Sequence, residues 1–540
     1  MKKTTSLALS LLLAHSANAA IGTVTLDEID SKPPSRAKNF LIWQFLNQDI
    51  TPEQAKEAFY QIDSVNHRFL KAYAAKTDES EFKYVTSCID KKASEITSIK
   101  NDDCLFLALS PIKADALSST QRNMIYSHLG DRFGDLSYLK TLNRDDHFLA
   151  NSDFNSSLKL FLSSNQAMKQ KYFNKPLTLG AINELSELKG FDSFVVQVAT
   201  NPTLKHLQRS ISIAPIKKRG SQANFFLALM SLKYGDSDRA IENLKFAKSG
   251  AYFASDKDKA TFWLYQITED KALLQELADS LDINIYSLYA AEKLGVKKNN
   301  FYYQLSKKSH KNWDKNDPFT WYNISQEIKN SSDENLYRLI DKYDSLAIEA
   351  YIIESKYGSY AKNYTMAYDE YMSELNTDQK AMLYSLMRQE SQMIPGVIST
   401  SFALGLMQIM PFNVDAINKY HKLKVSSYSD MFEPKYNIAY AIEHMKHIDK
   451  ALKSPLFKAY AYNGGIGFTK RHLISGDHFN SGKYEPFISM ELMSNVESRE
   501  YGKKVLANYT IYKRVLGEEV SIIELLNNLT KPELSDNFRK

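Results

Sequence analysis

From about residue 36 to residue 290 apolar side chains recur every three to four positions, which is the spacing of one helix after another. Thr51-Pro52-Glu53-Gln54 carries a start signal. Thr51 can cap, Pro52 suits the first turn and Gln54 can complete a capping box. Ala58, Phe59, Ile62 and Val65 then follow at helical spacing. Residues 223–248 read as a helical hairpin. Phe226, Leu229 and Met230 lead to a turn at Tyr234-Gly235-Asp236-Ser237, and Ala240, Ile241, Leu244 and Ala247 line the partner helix. Stacked hairpins of this kind build a superhelix, although no strict period marks a perfect solenoid. Such an array offers a curved surface for a polymer or partner, and equally a scaffold that positions another domain.

Residues 300–370 stay helical but turn rich in Tyr, Lys and Asn, with turns at Asp317-Pro318 and over residues 330–333. After about residue 370 the pattern changes. Glycines 396, 405, 464, 465, 467, 476 and 482 are seven of the 19 in the chain. Glycine gathered in one stretch suggests backbone that approaches a ligand closely. The polar end from about residue 531 is expected to fray.

Composition removes several classes. Gly and Pro make up 33 of 540 residues, about half of average usage, which argues against turn-rich β folds and low-complexity chains. The 44% apolar content is enough to bury cores throughout. A formal charge of +5 spread over this length does not point to nucleic acid. Lys2 and Lys3, the mainly apolar run from Leu7 to Ala14 and the small-x-small site Ala17-Asn18-Ala19 read as a secretory signal cut before Ala20. No later stretch is long and apolar enough to span a membrane, so an exported chain without an integral membrane segment is expected. In that setting Cys88 and Cys104 are expected to be bridged. Closing the 15 residues between them stabilises by about 3 kcal/mol through loop-closure entropy.

Serine-hydrolase, phosphate-loop, zincin and C-x-x-C motifs are all absent. Glu443, His444 and His447 have the composition of a metal site. They sit opposite the stripe Ile438, Ile442, Met445, Ile448 and Leu452, on the polar side of a helix, and no metal is expected there. The segment 376–411 says more. Asn376 can cap a helix with Gln379 three residues on, and Leu383, Leu386 and Met387 form its stripe. Glu390 continues that stripe, at i+7 from Leu383 and i+4 from Leu386. Periodicity leaves two readings open. Glu390 is either a desolvated carboxyl of raised pKa, suited to general acid chemistry, or a side chain that reaches solvent where the helix ends.

Four segments then follow in order: Arg388-Gln389-Glu390-Ser391 with Ser399 nine residues after the Glu; Gly405-Leu406-Met407-Gln408-Ile409-Met410-Pro411; Ala461-Tyr462-Asn463-Gly464-Gly465; and Glu497-Ser498-Arg499-Glu500-Tyr501. Together they resemble the soluble lytic murein transglycosylases of glycoside hydrolase family 23, whose catalytic domain is similar to goose-type lysozyme. Residues 286–295, Tyr286 through Gly295, resemble the end of that family's helical region. The resemblance implies an all-α protein: a ring- or U-shaped helical superhelix with a C-terminal lysozyme-like domain. The expected divisions are a signal peptide over 1–19, the superhelical domain over 20–297, a helical linker domain over 298–370, the catalytic domain over 371–520 and a tail over 521–540.

The resemblance also implies roles. Glu390 is the catalytic acid/base. Ser399, Met407, Gln408, Tyr462, Asn463 and Glu497 are the substrate-binding residues. Peptidoglycan glycan strands are the substrate, and cell-wall synthases are candidate partners. The implied compartment is the periplasm. With one strong candidate acid rather than the usual two, the implied reaction cleaves the β-1,4 bond between N-acetylmuramic acid and N-acetylglucosamine with help from the substrate's acetamido group. It leaves a 1,6-anhydromuramoyl end, with no metal or cofactor. The alternatives are a hydrolytic muramidase and a catalytically silent scaffold. Three departures from the family pattern bear on groove shape: Phe402 replaces a Gly, Ile466 replaces a Pro within Asn463–Gly467, and Met493-Ser494 replaces Ile-Pro.

Overall fold

A computed structural model describes residues 22–130, 132–144, 153–215, 219–303, 314–358 and 362–539. The leader read at residues 1–19 lies outside the described residues. Among the described residues the fold is all-α apart from two-residue strands, Phe301–Tyr302 and Lys362–Asn363, which pair in parallel. None of the described helices is long and apolar enough to cross a membrane.

Helix follows helix from Leu26–Asp30 to Ile285–Lys293, each packed mainly on its sequence neighbours. The start at Thr51 forms as its chemistry dictates: the Thr51 hydroxyl accepts from Gln54 N–H, and the Gln54 side chain accepts from Thr51 N–H. The hairpin comprises Ser221–Lys233 and Ser237–Ser249, with Gly235 left-handed at φ 89° in the turn. Its first helix is buried on all sides from Ala223 to Leu232, because helices pack around it rather than on one stripe. Cys88 and Cys104 are bonded to each other, Cα–Cα 5.1 Å, and join the Ser80–Ile89 and Asp102–Ala108 helices.

The helices Pro318–Asn330, Asp333–Tyr343 and Leu346–Tyr357 share a small core of their own around Ile324, Leu339, Ile340 and Ile348. Asp317 caps the first of them, accepting from the N–H groups of Phe319 (3.2 Å) and Thr320 (3.0 Å). Gly396 lies against this cap. A Cβ at Gly396 would meet Asp317 O at 3.0 Å and Pro318 Cα at 3.2 Å, so the close approach favours glycine.

The superhelix meets the C-terminal module at both ends and closes into a ring through it. At the far end Phe262 packs on Phe487 (4.7 Å between ring centres), the Tyr286 hydroxyl donates to buried Glu491, and Glu292 accepts from Ile522 N–H. At the near end the contact is made by Phe402, where the family pattern has Gly. Phe402 keeps the left-handed backbone that suits Gly, at φ 69°. Its ring sits between Phe40 (5.2 Å), Trp43 (5.8 Å) and Phe69 (6.0 Å), with the Arg68 guanidinium 5.0 Å from its centre. Burial of the ring outweighs the backbone strain. Phe402→Gly is therefore expected to lower stability by about 2–3 kcal/mol, the loss of a buried ring less the relieved strain. A lower thermal unfolding temperature of the full chain checks this.

The expected fraying from residue 531 does not occur. Ser535 and Asp536 are buried. Ser535 O accepts from Lys453 N–H (2.9 Å) and Ser454 N–H (3.0 Å), and Arg539 bonds Asp536 while lying over Phe457. A polar segment stays in place here because its polar groups complete the open end of another helix.

Candidate active site

Glu390 lies on the last turn of the Thr377–Ser391 helix, which opens with the Asn376/Gln379 capping box. The helix ends abruptly, because Gln392 (φ 51°) and Met393 (φ 67°) are both left-handed. One turn earlier in register, Arg388 clamps this end. It gives two hydrogen bonds to Glu354 (2.6 and 2.8 Å) and one to Asn363 O (2.8 Å). The acid-bearing helix is thus tied to the Leu346–Tyr357 helix by a partly buried ion pair in which one guanidinium nitrogen bonds both carboxylate oxygens.

The Glu390 carboxyl opens onto a cavity of about 610 Å³ whose walls come from all three parts of the chain. The Tyr501 hydroxyl donates to Glu390 Oε1 at 2.7 Å. Burial raises the carboxyl from its ordinary 4.5 to about 7, against the Tyr501 hydrogen bond, which favours the anion, and with the nearby Glu497 charge, which disfavours it. Of the two readings open at the sequence level, the partly buried position of Glu390 and its raised carboxyl favour the desolvated one.

Tyr462, Asn463 and Glu497 gather around this acid. Tyr462 is close enough for the Glu390 charge to raise its hydroxyl, which burial already pushes well up. That hydroxyl donates to Met407 O at 2.6 Å. Asn463 donates to Glu497 Oε1 (2.9 Å) and accepts from the Ser498 hydroxyl (2.7 Å), so both ends of its amide are engaged. Ser399 and Gln408 shape the loop from Val397 to Ile409. The Ser399 hydroxyl accepts from Ala403 N–H (2.9 Å), and the Gln408 amide donates to Gly405 O (2.7 Å) and Val397 O (3.1 Å). The Met407 side chain is 0% exposed and belongs to the core. What Met407 presents to the site is its backbone carbonyl.

Three residues without a role in the sequence reading complete the site. Tyr501 was visible only as part of a motif. Glu354 gave no local signal. Buried Asn437 holds the loop by accepting from Met407 N–H (2.8 Å) and donating to Leu404 O (2.9 Å) and Met431 O (2.7 Å). Gly405, at φ 74°, lies against that amide, and a Cβ there would come within 2.3 Å of Asn437 Nδ2. His444 packs its ring on Tyr462 at 5.4 Å, and His447 bonds Tyr420. Among the described residues no group of three or more His, Cys, Asp or Glu side chains is placed to hold a metal ion.

Residues 366–483, which carry Glu390, the Val397–Ile409 loop, Tyr462 and Asn463, match the family described as Transglycosylase SLT domain. This part of the chain is similar to the SLT domain over all of the matched residues. The chain is 24% identical over 215 residues to the soluble lytic murein transglycosylase of Salmonella typhimurium, and 23% identical over 210 residues to that of Escherichia coli. Each alignment covers 38% of this chain and 32% of the relative, so the chain spans about a third of the length of the curated relatives it matches. In fold it is similar to an inactive mutant of the lytic transglycosylase Slt from Pseudomonas aeruginosa. That likeness has a TM-score of 0.50 at 14% identity and covers 90% of this chain and 83% of that one. It extends beyond the SLT domain to the helical ring.

Proposed function

We propose that this protein is a lytic transglycosylase that cleaves peptidoglycan between N-acetylmuramic acid and N-acetylglucosamine. The observation that carries the proposal is the single carboxyl of Glu390, raised to about 7 at the edge of a cavity, with one hydroxyl donor and the SLT domain around it. At neutral pH a large fraction of such a group is protonated. Glu390 gives its proton to the leaving oxygen, and the acetamido oxygen of the muramic residue meets the positive charge developing at C1. The Glu390 carboxylate then takes the proton of the C6 hydroxyl as that oxygen closes on C1. One bond to C1 breaks, one forms, and no water enters. Glu497 and Asn463 set the electrostatics beside the acid, and Tyr462 shapes the groove wall. We further propose that residues 20–297, 298–370 and 371–520 act as superhelical, linker and catalytic units in the compartment that holds the murein. Cell-wall synthases are candidate partners.

The pH profile tests the role of Glu390. Activity on purified sacculi is expected to fall as pH rises through about 7, as the acid loses its proton. Tyr501→Phe removes a donor that favours the anion and is expected to move that limb to higher pH. Glu497→Gln removes a neighbouring negative charge and is expected to move it to lower pH. Limbs that stay in place in both variants would contradict Glu390 as the titrating acid.

A further inference from the structure

We propose that Phe253 and Tyr252, on the turn before the Ala254–Thr268 helix, form a stacking platform for a pyranose ring of the glycan strand that reaches Glu390. The inference rests on the cleavage reading above and adds a sugar-binding site supplied by the superhelix. Tyr252 is 90% exposed and Phe253 63%, the largest adjacent pair of uncovered aromatic rings among the described residues. Two ordered rings left in water on one turn form an apolar patch that calls for an occupant. Their positions are fixed. The rings meet edge to face at 4.9 Å and 88°, and Phe253 O accepts from Asp256 N–H (3.1 Å) and Lys257 N–H (3.1 Å) at the helix start.

The occupant follows from the cavity. Phe253 lines the same cavity as Glu390, so a strand that reaches the acid passes within range of the ring. The same cavity is also lined by Trp321 and Tyr351, which pack edge to face at 5.1 Å. Three pairs of charged groups in this lining are bonded to one another. Asp256 holds Lys259 (2.9 Å), Glu354 holds Arg388 (2.6 Å) and Glu500 holds Lys503 (3.1 Å). Beside these paired charges and the exposed Lys504, the lining presents the uncovered ring of Phe253. A β-linked pyranose presents a face of axial C–H groups that stacks on such a ring, while its equatorial hydroxyls stay in water. A phenylalanine ring needs little ordering to receive it, since only two torsions are fixed.

The test uses the full chain with Glu390→Gln, so that the strand is bound but not cut, and peptide-free glycan strands as the probe, with affinity read by calorimetry. Adding Tyr252→Ala and Phe253→Ala is expected to raise Kd about tenfold. Tyr252→Phe with Phe253→Tyr keeps both rings and is expected to stay within about twofold. Both side chains are exposed, so the unfolding temperature should not move in either variant. An unchanged Kd in the alanine pair overturns the platform, and so does a parent that binds no strand. Wild-type release of anhydromuramoyl ends, scored in parallel, shows whether the cleavage reading falls as well or stands alone.

Discussion

Glu390→Gln is expected to abolish release of anhydromuramoyl products, with a loss at or above the upper end of the 10²–10⁴-fold range for general acid–base assistance. One carboxyl serves both proton transfers, so both steps lose it. Gln cannot supply an acidic proton to the leaving oxygen or take one from the C6 hydroxyl. The fold should survive, since the amide oxygen can still accept from Tyr501, now 2.7 Å from Glu390 Oε1. Stability adds a signature that a merely structural Glu would not give. The folded carboxyl is raised to about 7 from an ordinary 4.5, so between those values the folded state holds a proton the unfolded chain has lost. Wild-type stability therefore falls as pH climbs through that window, by roughly 2 kcal/mol for a group only partly buried at the edge of a cavity. The Gln variant has no such loss. Its unfolding temperature should match wild type near pH 4.5 and exceed it near pH 8. A variant that kept activity, or that gained no relative stability at the higher pH, would remove Glu390 from its assigned role.

Lys503→Met is expected to cost about 3–5 kcal/mol of stability and most of the activity. Lys503 donates to Glu491 (2.9 Å) and to Glu500 (3.2 Å), and Glu491 is 1% exposed. Without the ammonium, a buried carboxylate keeps only the Tyr286 hydroxyl, which belongs to the superhelix. Burial acts to raise the Glu500 carboxyl, but the charges of Lys503, Lys259 and Arg499 outweigh it and hold it well below the usual range. These groups pin the Val496–Val515 helix, which carries both Glu497 and Tyr501, against the superhelix. Loss of the pin should therefore reach Glu390 through Tyr501. Adding Glu491→Gln to Lys503→Met removes the stranded charge and should recover part of the stability. Thermal unfolding of both variants measures the effect, and a loss under about 1 kcal/mol in Lys503→Met would contradict it.

Local signals carried the elements and the acid. The Asn376 cap, the stripe that continues to Glu390 and the hairpin turn at Gly235 all depend on neighbours within a few residues, and sequence displays those neighbours; Gly405 instead answers to Asn437, 32 positions on. Pairings across long stretches of chain are hidden for the opposite reason. Tyr501 meets Glu390 across 111 positions, Glu354 meets Arg388 across 34, and Tyr286 meets Glu491 across 205. No periodicity encodes such pairings. Phe402 shows the same gap from another side. As a departure from a Gly it put groove shape in question, whereas the structure turns it outward as the contact that closes the ring. Met407 was placed at the groove by motif position, and packing put its side chain in the core and left its carbonyl to Tyr462.

Mass analysis of the fragments that the wild-type chain releases from purified sacculi distinguishes lytic cleavage from hydrolysis. Closure of the C6 hydroxyl on C1 consumes no water, so every new muramoyl end should carry the 1,6-anhydro ring and be one water lighter than a hydrolysed end. Release of reducing muramic acid ends would contradict the account in favour of a muramidase, and release of nothing from sacculi would contradict it altogether.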